Sequence, residues 1–464
     1  MNIYDLIIIG GGSAGLIAAE TSLLFKKKVA IVTMDRLGGD CLWSGCIPSK
    51  ALLHNSQTQR HNPGRDLQTA YATAKTDIKH AWDKIQNDHE NPEWYKKKGI
   101  NVYLDKAVFT DEHTIQSGEQ TLQAKYFLIA TGSRAMTIPL PGLDQVAYLT
   151  NENIFTMEKA PESLLVIGGG PIGCELGQAM QNLGSKVTII QRSEKLIPKD
   201  DPEASALLQK RLLADGITLL FNTETTNVQK TATGGISLDI VHAEKKQTLN
   251  AEAILVAVGR QPNVENLGLE NIGVAYDKHG IKHNDKLQTN KKHIYVAGDV
   301  AGNYQFTHYA GVQAAAAVRN IFLPFKTAFA PQPLSWCTFT TPEIAHTGLT
   351  EQDALEQNIT FRTITYSYDN IDRNIVSGQE EGLIKILVKS DNTLIGATII
   401  GNRAGETIHE LALAIHRKLK TTDLLNLMHI YPTYSMGIQQ ALFKDFMEHD
   451  SFQTKAARIL AKFT

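Results

Sequence analysis

Cys41 and Cys46 are half of the cysteines in a chain that has four, and they stand close together. They lie in the stretch Gly38-Gly39-Asp40-Cys41-Leu42-Trp43-Ser44-Gly45-Cys46-Ile47-Pro48-Ser49-Lys50. A thiol exchanges electrons as its thiolate, which the unpaired N–H groups and positive end of a helix N-terminus favour. A helix starting near Cys41 would activate it in this way, and the surrounding glycines would let the backbone come close to a flat partner. The offset is roughly 1.4 helical turns, so a bridge between the two sulfurs needs some distortion of the first turn, and a strained bridge is easier to reduce. Taken alone, the residues also allow a pair of buried structural cysteines. Cys174, on an apolar helix, and Cys337, beside Trp336, have no partner at informative spacing and read as core residues. No zinc-ligand pattern occurs, so no metal site is expected.

Elements that could position such a pair follow a clear order. Leu6-Ile7-Ile8-Ile9 reads as a buried strand, Gly10-Gly11-Gly12-Ser13-Ala14-Gly15 as a turn, and Leu16 to Leu24 as a helix. Strand, glycine turn and helix place a pyrophosphate on a helix N-terminus, with glycine wherever a side chain would block its approach. The next strand, Val29 to Val32, should end in an acidic residue that grips an adenosine ribose. Thr33 stands there instead, with Asp35 two residues on. Leu67 to Gln86 has helical apolar spacing, and His80 and His89 read as part of its solvated face.

The opening pattern then recurs. Leu164-Leu165-Val166-Ile167 leads into Gly168-Gly169-Gly170-Pro171-Ile172-Gly173 and a helix carrying Glu175. Two such fingerprints argue for two dinucleotides, since each turn cradles one pyrophosphate. The strand Lys186 to Ile190 ends in Gln191-Arg192, a guanidinium where an NAD-preferring protein usually carries a carboxylate, which favours a 2′-phosphate, with Lys195 near enough to help.

At 464 residues the chain predicts two to four domains. Its 46 basic and 48 acidic residues offer no field for nucleic acid. No apolar run approaches a membrane span, and no basic region with a cleavage site precedes the first strand. Few cysteines in a long chain fit a reducing compartment, so a cytoplasmic protein acting on small molecules is expected.

Residues Gly38 to Lys50, down to Ile47-Pro48-Ser49-Lys50, resemble the redox-active disulfide signature of the class I flavin-dependent disulfide reductases. That group includes dihydrolipoyl dehydrogenase, glutathione reductase and mercuric reductase. The resemblance implies that Cys41 exchanges with substrate and that Cys46 faces the flavin as the charge-transfer thiolate. It implies FAD on Gly10, Gly12, Ser13, Ala14, Gly15 and Thr33, and a domain junction at Ala130-Thr131-Gly132. NADPH, or NADH, would lie on Gly168, Gly170, Gly173 and Arg192, and Gly259-Arg260 would close the nicotinamide domain. Asp299 would bind a ribityl hydroxyl, and the segment around His308 would open a helix facing the flavin pyrimidine. Lys50 and Glu175 would pair beside the flavin and nicotinamide rings. Pro171 replaces the tyrosine that covers the nicotinamide pocket in glutathione reductase. The implied fold is α/β: an FAD domain at 1–150 and 271–329, an NAD(P) domain inserted at 151–270, and an α+β dimerisation domain at 330–464 that makes a homodimer.

One segment departs from the pattern. Glutathione reductase and dihydrolipoyl dehydrogenase carry a His-Pro and then a glutamate that handle the proton of the exchanging thiol. Here the run is His429-Ile430-Tyr431-Pro432-Thr433-Tyr434-Ser435-Met436. A phenol, with a reference pKa of about 10, is a poor base at neutral pH. His429 would point to the same side of an extended segment as Tyr431, but more than ~6 Å away. The tyrosines resemble those of mercuric-reductase-like members, although the paired C-terminal cysteines and N-terminal metal-binding module of many mercuric reductases are missing. The expected activity is therefore transfer of electrons from NAD(P)H through Cys41–Cys46 to a metal ion or a small oxidised or electrophilic acceptor. Dihydrolipoyl dehydrogenase is the alternative, and a flavin-bound redox sensor or complex subunit is a further one.

Overall fold

A strand without a polar side chain from Leu6 to Ile9 must be covered on both faces, which is the condition of a parallel sheet. In the computed structural model, which describes residues 3–302, 304–330 and 333–448, strand β1 (Ile3–Ile9) is central. It pairs in parallel with β2 (Val29–Thr33), Leu6 opposite Val29, and with Gln120–Ile129, Leu6 opposite Tyr126. Asn101–Leu104 extends the sheet beyond β2, and Ile294–Val296 joins Gln120–Ile129 in parallel. Helix α1 (Ser13–Leu23) crosses over, burying Ala14, Leu16, Ala18 and Ala19. Small residues dominate that face because α1 packs closely on Thr307–Phe322, whose own buried face is largely alanine.

The second glycine turn repeats the arrangement. Ser163–Ile167 lies between Lys186–Ile190 and Ala253–Val256, all parallel, with the helix Pro171–Leu183 after it. A meander of Glu224–Lys230, Ile236–His242 and Lys245–Ala251 precedes the last of these strands. The expected architecture of two Rossmann-like domains and an α+β domain is the one found.

The backbone divides into two compact units, Met1–Arg192 with Asn222–Pro331, and Ser193–Phe221 with Gln332–Thr464. The second unit holds a five-stranded antiparallel sheet in the order Ser335–Thr338, Glu343–Gly348, Leu394–Gly401, Leu383–Lys389, Phe361–Ser367. Ile386, Val388, Ala397 and Ile399 meet Ile408, Leu411 and Ile438 of the helices Ala404–His416 and Met436–Glu448 in its core.

One lysine in this unit breaks the apolar pattern. Lys385 is 3% exposed and its Nζ lies 3.0 Å from Glu203, 3.1 Å from Glu351 and 3.7 Å from Asp201. Burial works against its charge, but the carboxylates outweigh burial and hold its pKa above the ordinary lysine value. Asp201 is buried but Glu203 is about half and Glu351 one third exposed, so removing the lysine leaves carboxylates that water partly compensates, at a cost of about 1–3 kcal/mol. Lys385→Met is expected to destabilise the second unit by about that amount in urea unfolding at pH 8; a loss below ~1 kcal/mol would mean that the carboxylates find other partners.

Candidate active site

The two glycine turns have the same geometry. A Cβ on Gly10 would lie 2.1 Å from the carbonyl oxygen of Ala130, and on Gly15 1.9 Å from that of Gly10. The equivalents are 2.4 Å from Ala257 for Gly168 and 1.9 Å from Gly168 for Gly173. Gly12 and Gly170 cap their helices without a side-chain hydrogen bond, so the first-turn N–H groups are left for a ligand. A cavity of about 1170 Å³ runs from the first turn along Gly10, Gly12, Ser13 and Ala14, past Thr33, Thr131 and Gly132, to Cys41, Cys46, Lys50, Glu175 and Asp299.

The segment between the cysteines is not one helix. Helix α2 (Gly39–Trp43) stops after five residues, and α3 (Cys46–His61) starts afresh. Gly45 makes the break, since a Cβ there would meet the carbonyl oxygen of Asp40 at 2.8 Å. Cys41 is the third residue of the short α2 and Cys46 the first of the sixteen-residue α3, so each lies in the first turn of a helix and the longer one serves Cys46. Both residues are free thiols here. Cys41 donates a hydrogen bond to Cys46, and this contact, with help from Thr307 and the charge of Lys50, overcomes burial and holds the Cys46 thiol down to about 6. The same bond, then burial and the charge of Cys46, pushes Cys41 far above the usual thiol value. Thr307 Oγ1 stands 3.4 Å from Cys46 Sγ.

Lys50, one turn along α3 from Cys46, donates to Glu175 Oε2 at 2.9 Å. Glu175 is buried and Lys50 is about one third exposed at the cavity wall. Arg260 donates from Nε to Ser133 Oγ at 2.8 Å and from Nη2 to the Ser133 carbonyl at 3.0 Å, and pairs with Asp40. Ser133 Oγ in turn donates to Asp299, whose carboxyl burial raises above the ordinary range despite that bond and nearby Arg260. Thr131 donates to the Asn263 carbonyl at 2.7 Å, and Asn263 returns a bond to the Thr131 carbonyl at 3.0 Å, which closes the junction.

Not every sequence candidate is brought to the cavity. His308 is exposed and stacks on Phe306, and the cavity is lined by its neighbour Thr307. Arg192 is exposed just after Lys186–Ile190, and Gly259 and the glycines of the second turn stand outside the cavity lining. Lys195 donates to the carbonyl of Asp200 in its own loop. Thr33 and Asp35 both line the cavity, Asp35 at its exposed edge beside Arg36, which covers the Trp43 ring at 4.0 Å. Thr307, Asp40 and Ser133 were not among the candidates, although each adjoins a motif that the sequence had marked.

His429 and Tyr431 belong to the second unit. Both ring nitrogens of His429 are engaged, Nε2 with Glu410 at 2.9 Å and Nδ1 with the Leu427 carbonyl at 3.2 Å, and its side chain is 4% exposed. Tyr431 is exposed, and its hydrogen bond to Asp372 holds the phenol pKa above its usual value. Burial acts upward on Tyr434, but hydrogen bonds with Ser377, Arg373 and Asn402 outweigh it and lower the pKa.

An uncapped glycine turn leading into a long cavity that ends at a thiol pair fits a dinucleotide with a flat redox ring. The family model described as pyridine nucleotide-disulphide oxidoreductase matches residues 4–314. The chain belongs to this family. The family's dimerisation domain matches residues 334–442, which supports a homodimer. A mercuric reductase from Staphylococcus aureus is 34% identical over 94% of this chain and 82% of its own length. A dihydrolipoyl dehydrogenase from Thermus scotoductus is also 34% identical, over 95% of this chain and 97% of its own. The HOCl-induced flavoprotein disulfide reductase RclA from Escherichia coli superposes with a TM-score of 0.85 over 95% of this chain and 99% of its own, at 24% identity. The enzyme is thus a flavin-dependent disulfide oxidoreductase that uses FAD and NAD(P)H, as its family does. No helix among the described residues is long and apolar enough to cross a membrane.

In the reduced protein, one thiolate should appear in ultraviolet absorbance with a midpoint near pH 6 and vanish as pH falls through it. Cys41→Ala removes the main donor to Cys46 and should raise that midpoint by about one unit or more, with a smaller rise for Thr307→Val. A wild-type midpoint in the ordinary thiol range would refute this arrangement of the pair.

Proposed function

We propose that this flavoenzyme takes electrons from NADPH and delivers them through Cys41 and Cys46 to a soft metal ion or a small electrophile. When bound, the flavin supplies the exchange between a two-electron hydride carrier and a disulfide. Gly10, Gly12, Ser13, Ala14 and Gly15 would hold its pyrophosphate, Asp299 its ribityl chain, and the Lys50–Glu175 pair the region next to the nicotinamide. Two electrons and one proton reduce the Cys41–Cys46 bridge, leaving Cys46 as thiolate and Cys41 as thiol, in keeping with the opposite directions of their pKa shifts. The Cys41 sulfur then engages a divalent ion, its proton leaves, the two sulfurs re-form the bridge, and the ion takes up both electrons. Arg192 favours NADPH. Few cysteines in a long chain fit a cytoplasmic location, and the dimerisation domain fits a homodimer.

The observation that carries the choice of acceptor lies in the C-terminal segment. Tyr431 stands where the family's base would be and keeps its proton against Asp372, while both nitrogens of His429 are taken up by Glu410 and Leu427. Exchange with a disulfide needs a base that accepts and returns a proton. A metal ion does not, because binding to a thiol itself expels the proton. Dihydrolipoamide is the second reading, supported by the complete cysteine pair and the 34% identity to the Thermus enzyme.

Anaerobic reduction by NADPH, followed by rapid mixing with either mercuric ion or lipoamide, tests the ranking. Reoxidation by the ion and not by lipoamide is expected; rapid discharge by lipoamide would install the second reading. Arg192→Ala should raise KM for NADPH about tenfold and leave that for NADH unchanged, the size of one charge-assisted hydrogen bond. Equal effects on both nucleotides would remove Arg192 from recognition.

A further inference from the structure

Asp40 is a carboxylate where a flavin protein would least want one. Gly39, the residue before it, packs against the first glycine turn so tightly that a Cβ there would lie 2.6 Å from Gly12 Cα. Asp40, the next residue, lines the same cavity as the turn whose N–H groups would cradle a pyrophosphate, and a fixed negative charge there repels phosphates. Its own surroundings explain how it is tolerated. Asp40 accepts from Ser44 Oγ at 2.9 Å through one oxygen and pairs with Arg260 through the other. The guanidinium is 15% exposed and is locked from behind by both Ser133 oxygens.

We propose that Arg260 acts in flavin binding as the counter-ion of Asp40 and not as a ligand of the flavin, and that this pair is a positioning device. With Arg260 in place the charge of Asp40 is balanced, although the same guanidinium also lies 3.8 Å from Asp299; without it Asp40 keeps only Ser44. Because Asp40 immediately precedes Cys41, the pair also ties the turn that carries the exchanging thiol to the junction at Ser133. Ser133 passes the tie on to Asp299, so four segments far apart in sequence meet at one guanidinium.

The proposal rests on assigning the first glycine turn to the flavin pyrophosphate, and flavin release from the purified holoenzyme, followed by ultrafiltration at several salt concentrations, tests both. Arg260→Gln should weaken flavin retention about tenfold or more by unmasking Asp40. Adding Asp40→Asn to it should restore retention to within roughly threefold of wild type, since there is then no charge to cancel. If the double variant is as weak as Arg260→Gln alone, Arg260 grips the flavin itself and the proposal falls. Asp40→Asn alone decides the matter should Arg260→Gln not fold. It should hold flavin at least as tightly as wild type, with a steeper salt dependence because Arg260 is released toward the phosphates, and weaker retention overturns the proposal. Gly12→Asp separates the two ideas. It puts a carboxylate with no counter-ion on the cradle and should lose flavin; retention there would overturn the cradle assignment itself, whatever the Asp40 variants do.

Discussion

The hydrogen bond from Cys41 to Cys46 depends on a helix that is interrupted, and much of the site follows from the interruption. An unbroken helix from Gly39 through both cysteines would put their sulfurs more than a turn apart and leave Cys46 in mid-helix. Gly45 ends α2 after Trp43 and lets α3 begin at Cys46, so the sixteen-residue helix directs its positive end at that sulfur. Lys50 follows one turn later and adds its charge. Glu175 shares that charge at 2.9 Å, which keeps the lysine oriented at the cavity while moderating its pull on the thiolate. The two sulfurs are thereby made unequal: one keeps its proton and the other readily loses it.

The rest of the first unit supports this inequality at a distance. A parallel sheet covered on both faces brings the ends of several strands to one rim, and the glycine turn, Thr131, Asp299 and Thr307 all gather there. This is the crevice at the carboxyl ends of the strands where open α/β sheets take their ligands. Close helix packing by alanine faces, together with the Gly15-to-Gly10 approach, draws α1 onto the sheet tightly enough to aim its uncapped N–H groups into the cavity. Repetition of that geometry at Gly168 and Gly173 gives a second cradle built on the same constraint.

What could be read in the sequence was whatever backbone geometry forces on residue type. Gly10, Gly15, Gly168 and Gly173 are legible because any Cβ there collides with main chain, and the β1 run is legible because burial on both faces excludes polar residues. Thr307 was hidden by rotation: the helix it opens was recognised, but neighbouring helical residues point about 100° apart, and His308 turns to Phe306 instead. The Asp40–Arg260 pair was hidden by distance, since nothing local in either motif says that residues so far apart in sequence meet. Lys385 was hidden for the opposite reason. It sits in a strand of isoleucines and leucines where alternation predicts a surface position, and only the three carboxylates around it explain a buried charge.

If Tyr431 takes the place of the family's base, as proposed, it bears on the acceptor through the proton and not through the electrons. A divalent ion reduced to the metal and lipoamide reduced to the dithiol each take two electrons, so electron count does not discriminate between these two acceptors. Disulfide exchange at Cys41 needs a thiolate from a thiol whose pKa is pushed up by Cys46, and a base must therefore remove its proton and later return it. A phenol held in its protonated form by Asp372 works against that step. With a soft cation the elevated pKa matters much less, because the metal–sulfur bond replaces the proton directly and its strength offsets the cost of deprotonation. On the proposed reading, a tyrosine in place of the family's histidine would impair turnover with lipoamide and leave reduction of a metal ion open.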